Sequence, residues 1–334
     1  VKPQIEHGGG LDRAIARFGG TFGDWLDLST GINPEHFPLP AFDAALWNRL
    51  PDDGLLQRVL EGARRYYRVG ENAPIVAAPG TQALIQLLPR LATPASVAVV
   101  GPTYQEHAVS FASAGWDVIE CASIGDIPQR ARVAVVVNPN NPDGRIAARP
   151  ELLALAKELG ARGGLLIVDE AFADAHGELS IADEAASAPM VVLKSFGKFF
   201  GLGGVRLGFM LAGAEMVQAV AERLGPWAVS GPALAIAEHA FSDEAALHAF
   251  CQRIAARRRG LADVLERCGL PEIGGTALFS LVRHGRGHAL HRALCERHIL
   301  VRKFDYAPEW LRIGLAPDDA GLARLEHALR DIAA

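Results

Sequence analysis

The chain has 334 residues, half of them hydrophobic, and carries 33 basic against 38 acidic side chains for a net charge of -5. That is enough apolar material for one large domain and a smaller one, and the mixed charge signs, without a basic stripe, argue against nucleic acid as the principal partner. No apolar run approaches membrane-spanning length, and the four scattered cysteines and dispersed histidines form no CxxC pair or ligand spacing, which points to a cytoplasmic protein with reduced thiols, no membrane partner and no metal site.

The Gly- and Pro-containing N-terminal arm is expected to pack with the smaller domain. Ala78-Pro79-Gly80-Thr81-Gln82 then leads into a helix over 81–91. A glycine and a small hydroxyl residue at a helix N-terminus present N–H groups and the positive dipole end to a phosphate. The plainer reading is that Thr81 is the N-cap. A strand at 96–100 runs into Gly101-Pro102-Thr103-Tyr104 and a helix over 104–114. Tyr104, at this junction, can stack on a flat ring or simply pack. Strands at 116–121 and 133–137 follow, and the second enters Asn138-Pro139-Asn140-Asn141-Pro142-Asp143-Gly144, a turn by composition. The functional reading sets the Asn141 amide beside a phenolic oxygen, with Asn138 and Asn140 as turn residues.

A helix over 150–159 starts with Pro150 in its first turn and precedes a strand at 165–168. Many of these strands are apolar at consecutive positions, as expected where a mainly parallel sheet is covered on both faces. Asp169 ends the run Leu165-Leu166-Ile167-Val168. The carboxyl ends of parallel strands open onto the ligand crevice, where a carboxylate can pair with a protonated pyridine nitrogen. A lone aspartate there more often caps the next helix. Glu170 is expected to project to the other side.

A strand at 190–193 leads to Ser195-Phe196-Gly197-Lys198, with Arg206 eight residues on and a strand at 207–211. A lysine that condenses with an aldehyde must spend part of its cycle as an unprotonated amine, which partial burial and a neighbouring cation promote. The serine and arginine supply a neutral donor and a bidentate cation for phosphate. Lys198 is therefore the candidate Schiff-base lysine for pyridoxal phosphate, and Gly80, Thr81, Ser195 and Arg206 make a plausible phosphate cup. Helical periodicity dominates 232–265. Strand-like runs at 277–282, 300–303 and 311–315 then alternate with helices, the last opening at Pro317-Asp318-Asp319 with acids in its first turn. The expected architecture is α/β. A large domain over 34–225 has a mainly parallel sheet between helices, and 1–33 with 226–334 form a smaller α+β domain.

Lys198 with Ser195 and Arg206, Asp169, Asn141, Tyr104 and the Gly80-Thr81-Gln82 segment together resemble the fold-type I pyridoxal-phosphate enzymes, the aspartate aminotransferase superfamily, over about residues 30–320. Within it the chain looks closest to the histidinol-phosphate aminotransferases and to the threonine-phosphate decarboxylases of cobalamin synthesis. His7-Gly8-Gly9-Gly10 and Leu28-Ser29-Thr30-Gly31-Ile32-Asn33-Pro34 resemble the decarboxylase branch. Asp169-Glu170-Ala171-Phe172 does too, because the aminotransferases usually have tyrosine where this chain has Phe172, which cannot donate a hydrogen bond. Leu50 stands where relatives often carry a tyrosine reaching the cofactor phosphate of the neighbouring subunit.

The resemblance implies that Arg312 grips the substrate α-carboxylate and that Arg302 lies near the substrate phosphate, with His7 and Asn33 as further substrate-side residues. It implies a homodimer, with Lys198 and Asp169 as the catalytic pair. The leading activity is decarboxylation of L-threonine O-3-phosphate to (R)-1-amino-2-propanol phosphate. A histidinol-phosphate-type aminotransferase is the alternative, since both reactions begin alike. A non-catalytic regulator that binds pyridoxal phosphate is a third, against which intact Lys198, Asp169 and Arg312 count.

Overall fold

The computed structural model describes residues 8–333, which fall into two compact units. The larger comprises Phe37–Asn141 and Arg145–His248. Its seven-stranded sheet has the order Ile75–Ala78, Gly208–Ala212, Met190–Ser195, Leu165–Asp169, Val133–Val137, Ser96–Val100, Asp117–Cys121. Neighbours are parallel except at Gly208–Ala212, which runs antiparallel to both strands beside it. Parallel pairing needs a crossover, and the helices Thr81–Leu87, Glu106–Ser113 and Arg149–Ala161 supply it between successive strands. Every residue of Val133–Val137, Met190–Ser195 and Gly208–Ala212 is buried, which is why those segments read as apolar runs without alternation. On one face Val97, Val135, Ile167, Leu193 and Met210 pack with Leu84, Ile85 and Phe111. Each such side chain contributes about 1.5–3 kcal/mol by leaving water.

Three details differ from the expectation. The helix expected to reach residue 91 ends at Leu87 and tightens into a 3-10 turn over Leu88–Arg90, because Pro89 has no N–H to continue the ladder. The helix starts at Thr81 with Gly80 as its N-cap, so Thr81 is the first helical residue and not the cap. Residues 226–248 join the larger unit, which moves the division expected at 225. The reason is packing: Gly231–Ser242 lies along Asp53–Tyr66, and a Cβ on Gly62 would stand 3.1 Å from Phe241 Cβ. Phe241 continues an aromatic cluster with Tyr66, Phe196 and Phe200. Phe196 and Phe200 stack at 4.3 Å, fixing the short Phe196–Phe199 helix that carries Lys198.

The smaller unit is built, among the described residues, from the chain up to His36, Pro142–Gly144 and the chain from Ala249. Its antiparallel sheet has the order Arg302–Lys303, Trp310–Gly314, Phe279–Arg283, Glu272–Thr276. Leu26–Asp27 pairs in parallel with Ile299–Leu300, and Gly314 N donates to Leu28 O at 2.7 Å, which fastens the N-terminal segment to this unit. Gly144, at φ +71, meets Glu272–Thr276 with no room for a side chain: a Cβ there would fall 1.8 Å from Gly275 O.

Candidate active site

The sheet order gathers the sequence motifs at one edge. Asp169 and Ser195 close their strands, while Gly80-Thr81, Tyr104 and Asn141 sit in the segments that follow the carboxyl ends of three others. Arg206 precedes Gly208–Ala212, and because that strand is reversed its beginning lies at the same edge. Lys198 lies on the helix directly after Ser195.

Around Gly80 the backbone is shaped to admit an arginine. Gly80 has φ +83, and a Cβ on it would stand 2.8 Å from Arg206 Nη2. Across the pair, a Cβ on Gly208 would stand 2.6 Å from Thr81 N. The two glycines therefore leave the Arg206 guanidinium and the first helical N–H groups without side-chain cover. Arg206 itself adopts left-handed φ 55, ψ 59, a conformation that costs a non-glycine residue of order 1–2 kcal/mol. Glycine would relieve that strain, so the guanidinium is what the position requires. Its Nη1 donates to Gly203 O at 3.2 Å, and Ser195 is buried. A planar cation, a buried hydroxyl and a cradle that any Cβ would fill suit a phosphate monoester.

Asp169 is 3 % exposed and both of its oxygens are held: Oδ1 accepts from Ala171 N at 3.0 Å, and Oδ2 lies 2.8 Å from His107 Nε2. His107 is itself buried, on the inner side of Glu106–Ser113. Tyr104 is joined edge-on to His107 at 6.1 Å and donates its hydroxyl to Gln82 Oε1 at 3.1 Å. Burial, with Glu106 and Asp169 nearby, pushes the Tyr104 hydroxyl up to about 12, so it remains a donor at neutral pH. Gln82 passes the contact on, donating from Nε2 to Glu106 Oε2 at 2.8 Å. Tyr104 thus starts a hydrogen-bond chain, and the Gln82 side-chain amide is engaged within it.

Within the Asn138–Gly144 turn, Asn138 and Asn140 are taken up by the turn itself. Asn138 exchanges hydrogen bonds with Ala147, and Asn140 accepts from Thr103 Oγ1 at 2.6 Å while donating to Pro102 O. Both are buried and stiffen the turn that carries Asn141. Lys198 is half-buried, with Nζ 5.9 Å from the centre of the Phe172 ring. Phe172 is buried and gives that amine an apolar wall in place of a phenol.

In the smaller unit, Arg302 and Arg312 are register partners on adjacent antiparallel strands, so two cations stand directly opposite each other. Such like-charged pairs are unfavourable by a few tenths to about 1 kcal/mol. Arg312 is 6 % exposed, and burial together with the facing charge of Arg302 draws its guanidinium down to about 10. It lies over Phe279 at 5.0 Å and donates from Nη2 to Ser29 O at 2.8 Å. Ser29 is held in turn by Asp27 Oδ1, and its Oγ accepts from Gly9 N at 2.7 Å. A Cβ on Gly8 would fall 2.4 Å from Ser29 O. The glycines of the N-terminal motif and the Ser29–Pro34 segment, separate in sequence, are therefore one assembly beside Arg312. Asn33 is buried and its Oδ1 accepts from Glu35 N at 3.2 Å. His7 lies outside the described residues.

Two residues of the larger unit escaped the sequence reading. His107 is three positions past Tyr104 on the buried face of its helix, with Ser110 and Phe111, a placement that usually means an ordinary core histidine; only the tertiary contact with Asp169 reveals it. Lys194 is four residues before Lys198 and pairs with Glu170 at 2.5 Å, both side chains buried. The sole signal was a lysine inside an apolar strand.

Residues 43–329 match the model of the family described as aminotransferase class I and II. The chain belongs to that family. It is 50 % identical over 328 residues, 97 % of each chain, to the threonine-phosphate decarboxylase of Sinorhizobium sp. It is 44 % identical over 329 residues, again 97 % of each, to the threonine-phosphate decarboxylase of Pseudomonas aeruginosa. Among solved structures, histidinol-phosphate aminotransferase from Sinorhizobium meliloti in complex with pyridoxal-5'-phosphate superimposes with a TM-score of 0.81, covering 99 % of this chain and 97 % of that one at 20 % identity. That likeness establishes the fold-type I architecture.

Proposed function

We propose that the protein is a pyridoxal-phosphate-dependent lyase that decarboxylates L-threonine O-3-phosphate to (R)-1-amino-2-propanol O-phosphate in cobalamin biosynthesis. The observation that carries the reading is the Arg302–Arg312 pair. Two opposed cations on one sheet call for a ligand bearing two anionic groups, and this substrate has a carboxylate and a phosphate. The identity to the two decarboxylases over nearly the whole chain supports the same choice.

Gly80, Thr81, Ser195 and Arg206 would hold the cofactor phosphate, Asn141 its phenolic oxygen, Asp169 its pyridine nitrogen and Tyr104 its ring. Lys198 would hold its aldehyde carbon. Bound pyridoxal phosphate supplies an electron sink for the pair released when a carboxylate departs. The chain's residues do the rest. Asp169, fixed by His107 and the Ala171 N–H, would pair with the ring nitrogen of the bound cofactor. Arg312 orients the α-carboxylate and Arg302 the phosphate. The Lys198 amine, against the apolar face of Phe172, holds the proton that returns to Cα. Without a phenol at 172, no side-chain hydroxyl competes there with the Asn141 amide for the phenolic oxygen.

The finer parts of the reading are a homodimer in the cytoplasm. Trp47, Leu50 and Trp227 are 71, 64 and 59 % exposed, apolar surface of the kind a second copy covers. The test is to incubate the purified, cofactor-loaded protein with L-threonine O-3-phosphate and no keto acid. Sustained release of carbon dioxide is expected. No release with the cofactor demonstrably bound overturns the reading.

A further inference from the structure

Behind the sheet edge that carries the candidate site lies a second set of charged groups. Glu170 immediately follows Asp169, and Lys194 immediately precedes Ser195. Because successive side chains on a strand point to opposite faces, these two turn away from the side Asp169 and Ser195 occupy. They meet each other there: Lys194 Nζ is 2.5 Å from Glu170 Oε2, with the side chains 3 % and 0 % exposed. The Glu170 carboxylate also accepts from Ser180 Oγ at 2.6 Å and from Ile181 N at 2.8 Å. Lys194 donates to Ser180 Oγ at 3.0 Å and lies 4.9 Å from the centre of the Tyr67 ring. The Ser180 hydroxyl is thus fixed in direction, accepting from the ammonium and donating to the carboxylate. Asp174 and the Tyr67 hydroxyl complete the surroundings, each with oxygens out of reach of water and without a hydrogen-bond partner among the described residues.

An ion pair sealed from water is seldom a source of net stability. Its desolvation offsets most of the attraction, and a well-packed apolar pair of the same volume is often as stable or more so. What such a pair does give is geometry. Glu170 N donates to Leu193 O at 2.9 Å, continuing the Asp169–Leu193 register of the two strands. The Glu170 carboxylate then ties the far end of the 171–180 excursion back to its start through Ser180 and Ile181. That excursion carries Phe172, the wall beside Lys198.

We propose that Glu170, Lys194 and Ser180 form a buried clamp that positions Asp169, Phe172 and Lys198 relative to one another, so that all three are positioning residues for the reaction. The inference rests on the proposed decarboxylase reading for its kinetic consequence but not for its spectroscopic one.

The test compares Ser180→Ala and the double variant Glu170→Gln/Lys194→Met with wild type in the cofactor-loaded protein. Three quantities are measured: thermal midpoint, kcat and KM for L-threonine O-3-phosphate, and the pH at which the absorbance of bound pyridoxal phosphate titrates. Ser180→Ala keeps both charges and removes one hydroxyl, so it should fold even if the double variant does not. The clamp requires that a folded variant lose kcat by about tenfold with KM within twofold, since small misplacements at a reacting centre are costly. It also requires the absorbance midpoint to move by at least half a pH unit. A folded variant with wild-type kcat and an unmoved midpoint overturns the proposal and leaves a purely structural ion pair. If wild type itself releases no carbon dioxide, the functional reading fails, while the absorbance midpoint still decides the clamp.

Discussion

His107 Nε2 lies 2.8 Å from Asp169 Oδ2, with both side chains buried beneath the sheet edge. An ionised carboxylate can only accept, so Nε2 is the ring nitrogen that carries the proton. With the Ala171 N–H on the other oxygen, the carboxylate cannot rotate, and its remaining lone pairs have a fixed direction. The histidine acts through the aspartate.

Replacing that histidine tests the arrangement. His107→Phe keeps the volume and removes the donor, and hydrogen bonds to charged groups are worth about 1.5–3 kcal/mol. A fall in kcat of about tenfold or more is expected, together with weaker binding of pyridoxal phosphate. Steady-state kinetics and cofactor titration check it; wild-type values in both would show that Ala171 alone suffices to fix Asp169.

Gly80→Ala should weaken cofactor binding while leaving the fold intact. The added methyl falls 2.8 Å from Arg206 Nη2, and φ +83 is unfavourable for alanine. Arg206 is the flexible partner and must move, so the affinity for pyridoxal phosphate should drop by about tenfold or more, the loss of a charge-assisted contact. Titration of the apoprotein, with circular dichroism as the control for folding, measures it.

Arg302→Gln carries two opposite expectations. Relieving the charge that faces Arg312 should raise the thermal midpoint of the unliganded protein slightly, the counterpart of about 0.2–1 kcal/mol. The same change should raise KM for L-threonine O-3-phosphate by about tenfold or more. Lower stability and unchanged KM would mean that Arg302 is structural.

The pH dependence of stability should carry the mark of Asp174. Burial raises its carboxyl from 3.8 to about 7. A folded-state value above the unfolded one means the native protein holds the extra proton, so this contribution is complete below pH 3.8 and is lost as pH rises through about 7. Asp174→Asn should therefore raise stability at pH 8 by about 1–3 kcal/mol and flatten the decline that runs from about pH 4 to about pH 7. Thermal unfolding across that range decides it.

Much of the larger unit was legible because its strands are buried on both faces and so appear as unbroken apolar runs: Ser96–Val100 and Val133–Val137 have the bounds their composition implies. Ile75–Ala78 was missed because four residues ending before Pro79 are too short a run to stand out. The motifs at the sheet edge could be found one by one, since each pairs a special residue with a strand end. His107 and Lys194 could not, because their roles depend on partners 62 residues away in one case and on the far side of a strand in the other. Of the substrate-side residues, Arg312 was singled out by the resemblance, since a lone arginine in a strand reads as an outward-facing cation, and its opposition to Arg302 is a matter of register that no single segment encodes.

The reversed strand Gly208–Ala212 sets an order of events during synthesis. Among the described residues, Ile75–Ala78 pairs in the sheet with that strand alone. A nascent chain stopped at residue 200 would already contain Lys198, Asp169 and Ser195, but its first strand would have nothing to pair with and Arg206 would not yet exist. The candidate phosphate cradle closes only when residue 212 clears the ribosome, well over a hundred residues after Gly80 was made. Until then the exposed strand edges of the unfinished sheet are the part of this protein most in need of protection.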